Sequence, residues 1–383
     1  MRKVESAAYG IPRRLGVAVL VFLSGTGIAL AQGPTSNDET TPAATSDPQP
    51  PAKPAPAPPT AAVPNTFERW VDLQTATFQT RYRYIETSAG VVSTRQGQDS
   101  GGIKARVKID PKGRFSVNAG IATGNGFTSG WNNMGVGTGD RVDTWYLKQL
   151  FLAAAPVKGL EFSYGGIAPV RGESTEITSW DNDGYLLGER VTVKMPKEMY
   201  FDEISATTGY LGDTTMSSFS GRYRNIDQVN YRHFLVSKKF SSALTVSSDY
   251  TWLSGVGTLR TAFSAKVPAV VVDTVRWEQY KRFGTTGAFG FAAYGERNLG
   301  SRFAVGGGYA DIDANYGGLN ADRFNKGRRV YETGTVKLTK EFSTSVFVTQ
   351  AVNNAFAVTN KTRLDIVFSF NALASLKRVG MLH

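Results

Sequence analysis

The chain has 383 residues, a formal net charge of +11, 41% hydrophobic residues, 41 glycines, 22 phenylalanines, 16 tyrosines and no cysteine. The missing cysteines exclude a disulfide framework, thiolate metal sites and a cysteine nucleophile, and two histidines, His233 and His383, are too few for a histidine metal centre. No basic run, zinc spacing or aromatic RNA-binding motif accompanies the positive charge, so nucleic acid is not an expected partner.

At the N-terminus Arg13 and Arg14 lead into LGVAVLVFLSGTGIAL, and Ala29-Leu30-Ala31 closes the segment. A basic flank, an apolar core and a small-x-small end are the parts of an export signal, so residues 1–31 are read as a signal peptide cleaved after Ala31. Gly25, Thr26 and Gly27 make a poor spanning helix, which argues against a retained anchor. Loss of Arg2, Lys3, Glu5, Arg13 and Arg14 leaves a net charge of +8. Residues 32–66 follow as a Pro/Ala/Thr-rich stretch holding ten of the 16 prolines. Such a composition cannot build a core and favours extended polyproline II, so it is expected to be a disordered spacer.

Residues 67–383 contain no apolar run near the ~20 residues of a membrane-spanning helix. They contain instead many segments of alternating character. GGIKARVKID puts Ile103, Ala105, Val107 and Ile109 on one face and Lys104, Arg106 and Lys108 on the other. RFSVNAGIA, ALTVSSDYTW and RLDIVFSF alternate in the same way. Period two means strand, with one apolar and one polar face. Short turns are predicted at DPKGR (110–114), PVKGL (156–160), MPKEM (195–199), KFSSA (239–243), KVPAV (266–270), NLGSR (298–302) and EFSTS (341–345). Longer polar, glycine-rich loops such as GNGFTSGWNNMGVGTGD (124–140) alternate with them. Each short turn joins two strands, and one more strand at each end (74–86 and 361–370) brings the count to about sixteen. The predicted fold is all-β: a transmembrane antiparallel β-barrel. An exported β-sandwich is the alternative, but the charged strand faces leave no dry core between two sheets. Aromatics near strand ends, among them Tyr84, Trp145, Tyr164 and Trp252, suit the girdles of such a barrel.

About sixteen strands enclose water, whereas about eight would be filled by side chains. Charges on the lipid face cost a few kcal/mol each, so basic residues on strands should face water. Arg81, Arg83, Lys104, Arg106, Lys108, Arg190, Lys194 and Lys337 are therefore the expected pore wall. For Arg222, Arg224, Arg232, Arg276 and Arg282 the alternation assigns no side securely. A basic wall raises the local concentration of anions, which gives a lean toward anionic solutes. The densest acidic segment is GGIAPVRGESTEITSWDNDGYLLGER (165–190), whose loop, about residues 166–188, joins the fifth and sixth strands. It carries Arg171, Glu173, Glu176, Asp181 and Asp183. Paired carboxylates could serve as acid and base or bind calcium, but DNDG lacks the downstream glutamate of a calcium loop, and solvated loop acids are the commoner case. No metal or other cofactor is expected.

LFLAAAPVKGLEFSYGGIAPVRGESTEITSWDNDGYLLGERV has a strand, a P-x-x-G-L turn, a strand ending in glycine, a Pro-containing loop start, then Glu-Ser and a polar run. In this it resembles bacterial outer-membrane porins, and more specifically the phosphate-selective porin family, over residues 143–195. The resemblance implies a homotrimer in the outer membrane, surrounded by lipid, with a water-filled channel narrowed by the third long loop. That loop carries lysines in the phosphate-selective members, whereas no lysine lies here between Lys158 and Lys194. The C-terminus also departs, running on past Phe370 as NALASLKRVGMLH where many such barrels end on an aromatic residue. The expected function is passive diffusion of small hydrophilic solutes, with no catalytic residues. Two other classes share the architecture. One is an outer-membrane barrel hydrolase, a phospholipase or protease, for which His233 is the sole internal histidine. The other is a structural barrel whose Pro-rich arm reaches the cell wall.

Overall fold

The computed structural model describes residues 66–124, 130–175, 177, 186–195, 199–212, 219–267, 271–284, 288–315, 326–352 and 360–382. The signal peptide, most of the Pro-rich stretch, Glu176, Asp181 and Asp183 lie outside these residues. A short helix, α1 (Thr66–Trp70), leads into β1 (Val71–Thr87), β2 (Val92–Lys108), β3 (Phe115–Thr123), β4 (Asn132–Gly137), β5 (Trp145–Val157), β6 (Leu160–Ile167), β7 (Leu186–Val193) and β8 (Glu203–Tyr210). After α2 (Phe219–Tyr223) come β9 (Tyr231–Lys239), β10 (Leu244–Leu253), β11 (Val256–Lys266), β12 (Thr274–Arg282) and β13 (Phe289–Leu299). The chain ends with β14 (Phe303–Ile312), β15 (Gly327–Lys337), β16 (Phe342–Ala351), β17 (Asn360–Asn371) and α3 (Ala372–Arg378).

Every strand pairs antiparallel with its neighbours, and β1 pairs with both β2 and β17, so the sheet closes on itself. β4 stands outside the ring: it belongs to the β3–β5 loop and pairs only with Gln96–Asp99 of β2, while β3 pairs directly with β5. Sixteen strands remain in the closed barrel. Closure leaves no edge with unpaired amides and carbonyls, which is what a sheet in hydrocarbon requires.

Cross-strand partners share a face, so the pairing register fixes which side chains point in. On β1, Phe78, Thr80 and Tyr82 are exposed, while Gln79, Arg81 and Arg83 are covered. Ile103 and Val107 of β2 pair with Ile121 and Val117 of β3 on the exposed face, and Lys104 and Arg106 pair with Gly120 and Asn118 on the other. Trp277 of β12 stacks on Phe291 of β13, ring centroids 4.9 Å apart, on the outer face. This outer band of exposed Phe, Leu, Ile and Val is apolar all the way round the ring apart from isolated polar side chains such as Glu189 and Glu332. A band of this extent would not be stable in water and is the face a bilayer covers.

The described short connections fall where the sequence put them, with one displacement; residues 196–198 of MPKEM and 268–270 of KVPAV lie outside the described residues. The β15–β16 turn is Leu338–Glu341, and residues 342–345 of EFSTS are already strand, because Thr339 accepts from the amides of Glu341 and Phe342 and closes the turn early. The opposite rim departs more. Its connections at 88–91 and 254–255 are as tight as any turn. Ser254 and Gly255 both take positive φ, 48° and 90°, the backbone of a two-residue hairpin turn.

Two turn carboxylates carry a pH signature. Asp110 accepts from the amides of Phe115 at 2.7 Å and Lys112 at 3.2 Å, and Asp202 accepts from the amide of Lys239 at 2.6 Å. These backbone donors hold both carboxyls below the usual aspartate range. A lowered folded-state pKa gives stability that is complete above the ordinary value and is lost as pH falls through the folded one. Hydrogen exchange at the Phe115 and Lys239 amides, corrected for intrinsic rate, should be constant between about pH 5 and 8 and accelerate below about pH 4. Equal protection at pH 6 and pH 3 would contradict this role.

Candidate functional site

The loop after β6 does not stay at the rim. Gly172 lies so close to β10 that a Cβ at this position would fall on the Ser247 side chain. The next carbonyl, that of Glu173, accepts a hydrogen bond from Arg260 Nη1 of β11 at 2.7 Å. Ser174 Oγ, the Thr175 amide and Thr175 Oγ1 then all donate to Glu278 Oε2 of β12, at 3.1, 2.5 and 2.9 Å. Two residues on, Ile177 is buried with Tyr280, Ala288, Ala292, Ala310, Ile312 and Phe347, an apolar cluster running from β12 to β16. The segment therefore starts at β6 and is seated on inward-facing residues of β10–β16, across the barrel. A loop that leaves one wall and is held by the inner face of another must traverse the lumen.

The seat is ionic. Arg260 donates through Nε to Asp249 Oδ2 at 2.6 Å, adds a second contact to the same oxygen through Nη2, and lies 3.4 Å from Glu278 Oε1. Arg260, Asp249 and Glu278 are all nearly fully buried, so each carboxylate depends on this guanidinium for its compensation. His233 of β9 brings Nε2 to 3.5 Å from Asp249 Oδ1. Its Nδ1 has no hydrogen-bond partner among the described residues, and the groups facing it across the sheet are Thr207 and Thr251. His233 thus adjoins the loop's seat through Asp249.

The wall facing the loop is basic. Asp365 of β17 accepts from Arg83 in a two-pronged bond, Nε to Oδ1 at 2.8 Å and Nη2 to Oδ2 at 3.0 Å. Arg363 reaches the same carboxylate at 2.6 Å and Arg81 at 3.8 Å. Arg81 also donates to Gln98 at 2.6 Å, and its guanidinium stacks 3.9 Å from the Trp131 ring. One carboxylate thus holds three guanidinium groups, a fixed surplus of positive charge. Lys104, Arg106 and Lys108 line the short-turn half of β2 on the same side, where Arg106 donates to the Gly113 carbonyl and Lys108 to that of Glu68. Lys148 of β5 is 2% exposed and stands 5.2 Å over the Tyr146 ring. Among the described residues, Asp72, opposite Arg106, and Asp365 lie among these cations.

The remaining expected wall residues are placed elsewhere on the ring. Arg190 of β7 donates to Thr207 at 3.0 Å and to the Ala168 carbonyl, so it pins the start of the crossing loop. Lys194 lies 3.4 Å from Glu203 at the short-turn end, and Lys337 pairs with Ser343 at the same end. Arg171 is half-buried at the head of the loop. Glu173 has its carboxyl pushed up by burial, opposed by Arg276 and Arg260. Of the five less regular arginines, Arg232 faces outward with its guanidinium 5.3 Å from the Trp252 ring, and Arg276 faces inward. Sequence reasoning missed Lys148, because β5 alternates poorly: an extra residue interrupts its register opposite Gly120 and Ile121. It also missed the Asp249–Arg260–Glu278 seat, although Asp249 was legible as a lone acid on a polar strand face.

No protein-family model and no curated protein sequence matches the chain. Its fold does have solved counterparts. A Salmonella typhi OmpF in complex with daunomycin superposes with a TM-score of 0.51 at 11% identity, over 78% of this chain and 97% of that one. A mutant Rh. blastica porin gives 0.53 at 13% identity, over 79% of this chain and 99% of that one. At such identities the likeness is one of fold: the sixteen-stranded barrel of the general bacterial porins.

Replacing Glu278 by Ala removes the acceptor for three donors of the loop and leaves Arg260 undercompensated. Breaking such a buried pair costs about 3 kcal/mol or more. The E278A protein should unfold at lower temperature and expose the 168–177 segment to protease. A protease pattern identical to that of the unmutated chain would contradict the seat.

Proposed function

We propose that the chain forms a water-filled channel in a bacterial outer membrane, through which small hydrophilic solutes diffuse passively, anions ahead of cations. One observation carries this reading: the loop crosses the lumen and is sealed onto β10–β16, so the remaining passage runs past the arginine- and lysine-bearing wall of β17, β1, β2 and β5. Arg81, Arg83, Lys104, Arg106 and Lys108 supply positive charge at successive levels of that passage, and Arg190, Lys194 and Lys337 add to the positive lumen from elsewhere on the ring. Arg171, Glu173, Glu176, Asp181 and Asp183 shape its other side. A fixed charge surplus over a narrow, low-dielectric opening concentrates counter-ions and lowers their barrier. Inorganic phosphate is one anion such a wall admits, and no lysine lies between Lys158 and Lys194 to single it out.

The rest of the chain fits the same reading. Residues 1–31 act as the export signal, 32–66 as a periplasmic spacer, and 67–383 as the barrel, which assembles as a homotrimer in lipid with its constriction loop at about 166–188. The barrel transfers no covalent bond. Its polar interior holds ion pairs and hydrogen-bonded networks, and His233 adjoins the loop's seat.

Purified mature protein in a planar bilayer should give stepwise conductance, and in a salt gradient its reversal potential should have the sign of anion preference. The double variant R81Q/R83Q should move that potential toward cations. Glu173 sharpens the test: its carboxyl is held above the usual range by burial, so lowering the pH neutralises it and leaves the lumen more positive. Anion preference should therefore grow on acidification. Absence of conductance would overturn the channel, and a cation-signed potential unaffected by R81Q/R83Q would overturn the role of the wall.

A further inference from the structure

Seven connections form one rim of the barrel, five of them short, and three of those share a dipeptide. Arg114-Phe115, Lys239-Phe240 and Arg302-Phe303 each set a cation directly before a phenylalanine at a hairpin turn. The four-residue turn before β16 repeats the arrangement with one residue between, Lys340 and Phe342. All four rings are exposed, by 46%, 56%, 50% and 48% in that order. Lys158 adjoins exposed Val157, and Lys238 stands 5.2 Å over exposed Tyr200.

The acids of this rim offset part of that charge, Asp110 beside Arg114 at 3.5 Å and Asp202 beside Lys238 at 3.6 Å, but the cations at the turns outnumber them. Asp110 and Asp202 accept from turn amides, Asp273 accepts from the Asn298 amide at 2.6 Å, and Glu341 accepts from Thr339 Oγ1 at 2.7 Å. Among the described residues, Lys158 and Arg302 form no ion pair, Lys239 lies in the field of Asp202, and Arg114 remains half-exposed beside Asp110 at 3.5 Å. The opposite rim has such dipeptides too, Arg282-Phe283 and Arg323-Phe324; the Arg282 guanidinium is committed to the Asn315 carbonyl at 2.9 Å, and Arg323-Phe324 lies outside the described residues.

We propose that this rim is a docking ring for anionic phospholipid headgroups of the leaflet it borders, the periplasmic leaflet on the channel reading above, on which the proposal rests. The physical logic is vertical. At Phe115, Phe303 and Phe342, which open strands, the ring sits at the hydrocarbon boundary and the preceding cation lies on its turn side, the depth of a headgroup phosphate; at Lys239-Phe240 the order is reversed, the lysine ending β9 and the ring standing in the turn. Repetition round the ring gives several such anchors on one annulus of lipid. A cell-wall glycan would need the cations without the adjoining rings, and a free phosphate ion would need them clustered. Here they are spread one per hairpin and each is paired with an apolar neighbour. The annulus also fixes the height of the barrel in the bilayer, and with it the depth of the crossing loop.

The test compares the full mature protein with the variant R114Q/K158Q/K239Q/R302Q in mixed micelles doped with phosphatidylglycerol and phosphatidylcholine, counting retained lipids by native mass spectrometry. Each cation near an anionic surface is worth about fivefold in binding. The unmutated chain should retain phosphatidylglycerol preferentially, and the variant should lose about tenfold or more of that preference. R95Q/R141Q/K281Q, which removes cations from the other rim, should retain it. An unchanged ratio in the four-fold variant, or an equal loss in the opposite-rim control, overturns the proposal. So does displacement of the lipid by millimolar inorganic phosphate, or retention on isolated murein sacculi in place of the lipid preference. Bilayer conductance of the same preparations separates the two readings: intact conductance with no lipid preference sinks the ring alone, and absent conductance sinks the channel.

Discussion

A single guanidinium decides the interior of this barrel. Arg260 is shared between Asp249, Glu278 and the carbonyl of Glu173, and Glu278 in turn collects three donors from Ser174 and Thr175. Burying three charges is costly, and an apolar core of the same volume would be as stable or more so. What the ionic seat adds is position. An apolar contact such as that of Ile177 can slide along a wall, whereas donors that must meet one carboxylate oxygen fix the loop to a register.

From that constraint the electrostatics of the lumen follow. The described part of the loop is seated on β10–β16, and on the facing wall Asp365 binds Arg83 and Arg363 with short bonds and has Arg81 at 3.8 Å. Trp131 and Phe347 back two of these guanidinium groups, at 3.9 and 5.5 Å. Arginine suits this arrangement better than lysine would, because a planar fork can bind one carboxylate, lie on a ring and still present an edge to solute. The positive surplus is thereby held rigid, which is what a fixed field across a passage needs. The apolar outer band completes the frame.

Much of the frame was legible in the sequence. Period-two alternation in GGIKARVKID or RLDIVFSF requires a strand with two unlike faces, and the pairing register keeps those faces: Lys104 and Asp365 are inward, Ile103 and Phe368 outward. Strand counting succeeded because proline or glycine marks five of the seven short turns and polar residues the other two. Boundaries slipped where hydroxyl side chains close a turn, as Thr339 does before Phe342, since no residue type there announces it. The crossing of the loop was not legible beyond a resemblance. Its partners lie 87 and 103 residues away in the chain, and no local pattern in RGEST says that Arg260 and Glu278 await it. Lys148 was hidden for a different reason: an extra residue in β5 breaks the alternation that would have assigned its side.

The crossing loop can be tested without reference to any solute, because the chain has no cysteine and a single introduced thiol is unambiguous. Ile177→Cys places a thiol where 1% of the side chain is exposed, deep in the cluster on β12–β16. Ser88→Cys places one in an exposed rim turn. With a hydrophilic maleimide on folded protein in micelles, the account predicts rapid labelling at position 88 and protection by at least about a hundredfold at position 177, the scale of a few kcal/mol of local opening. Labelling of position 177 at the rate of position 88 would mean that the loop does not lie across the lumen, and the account of the passage would fall with it.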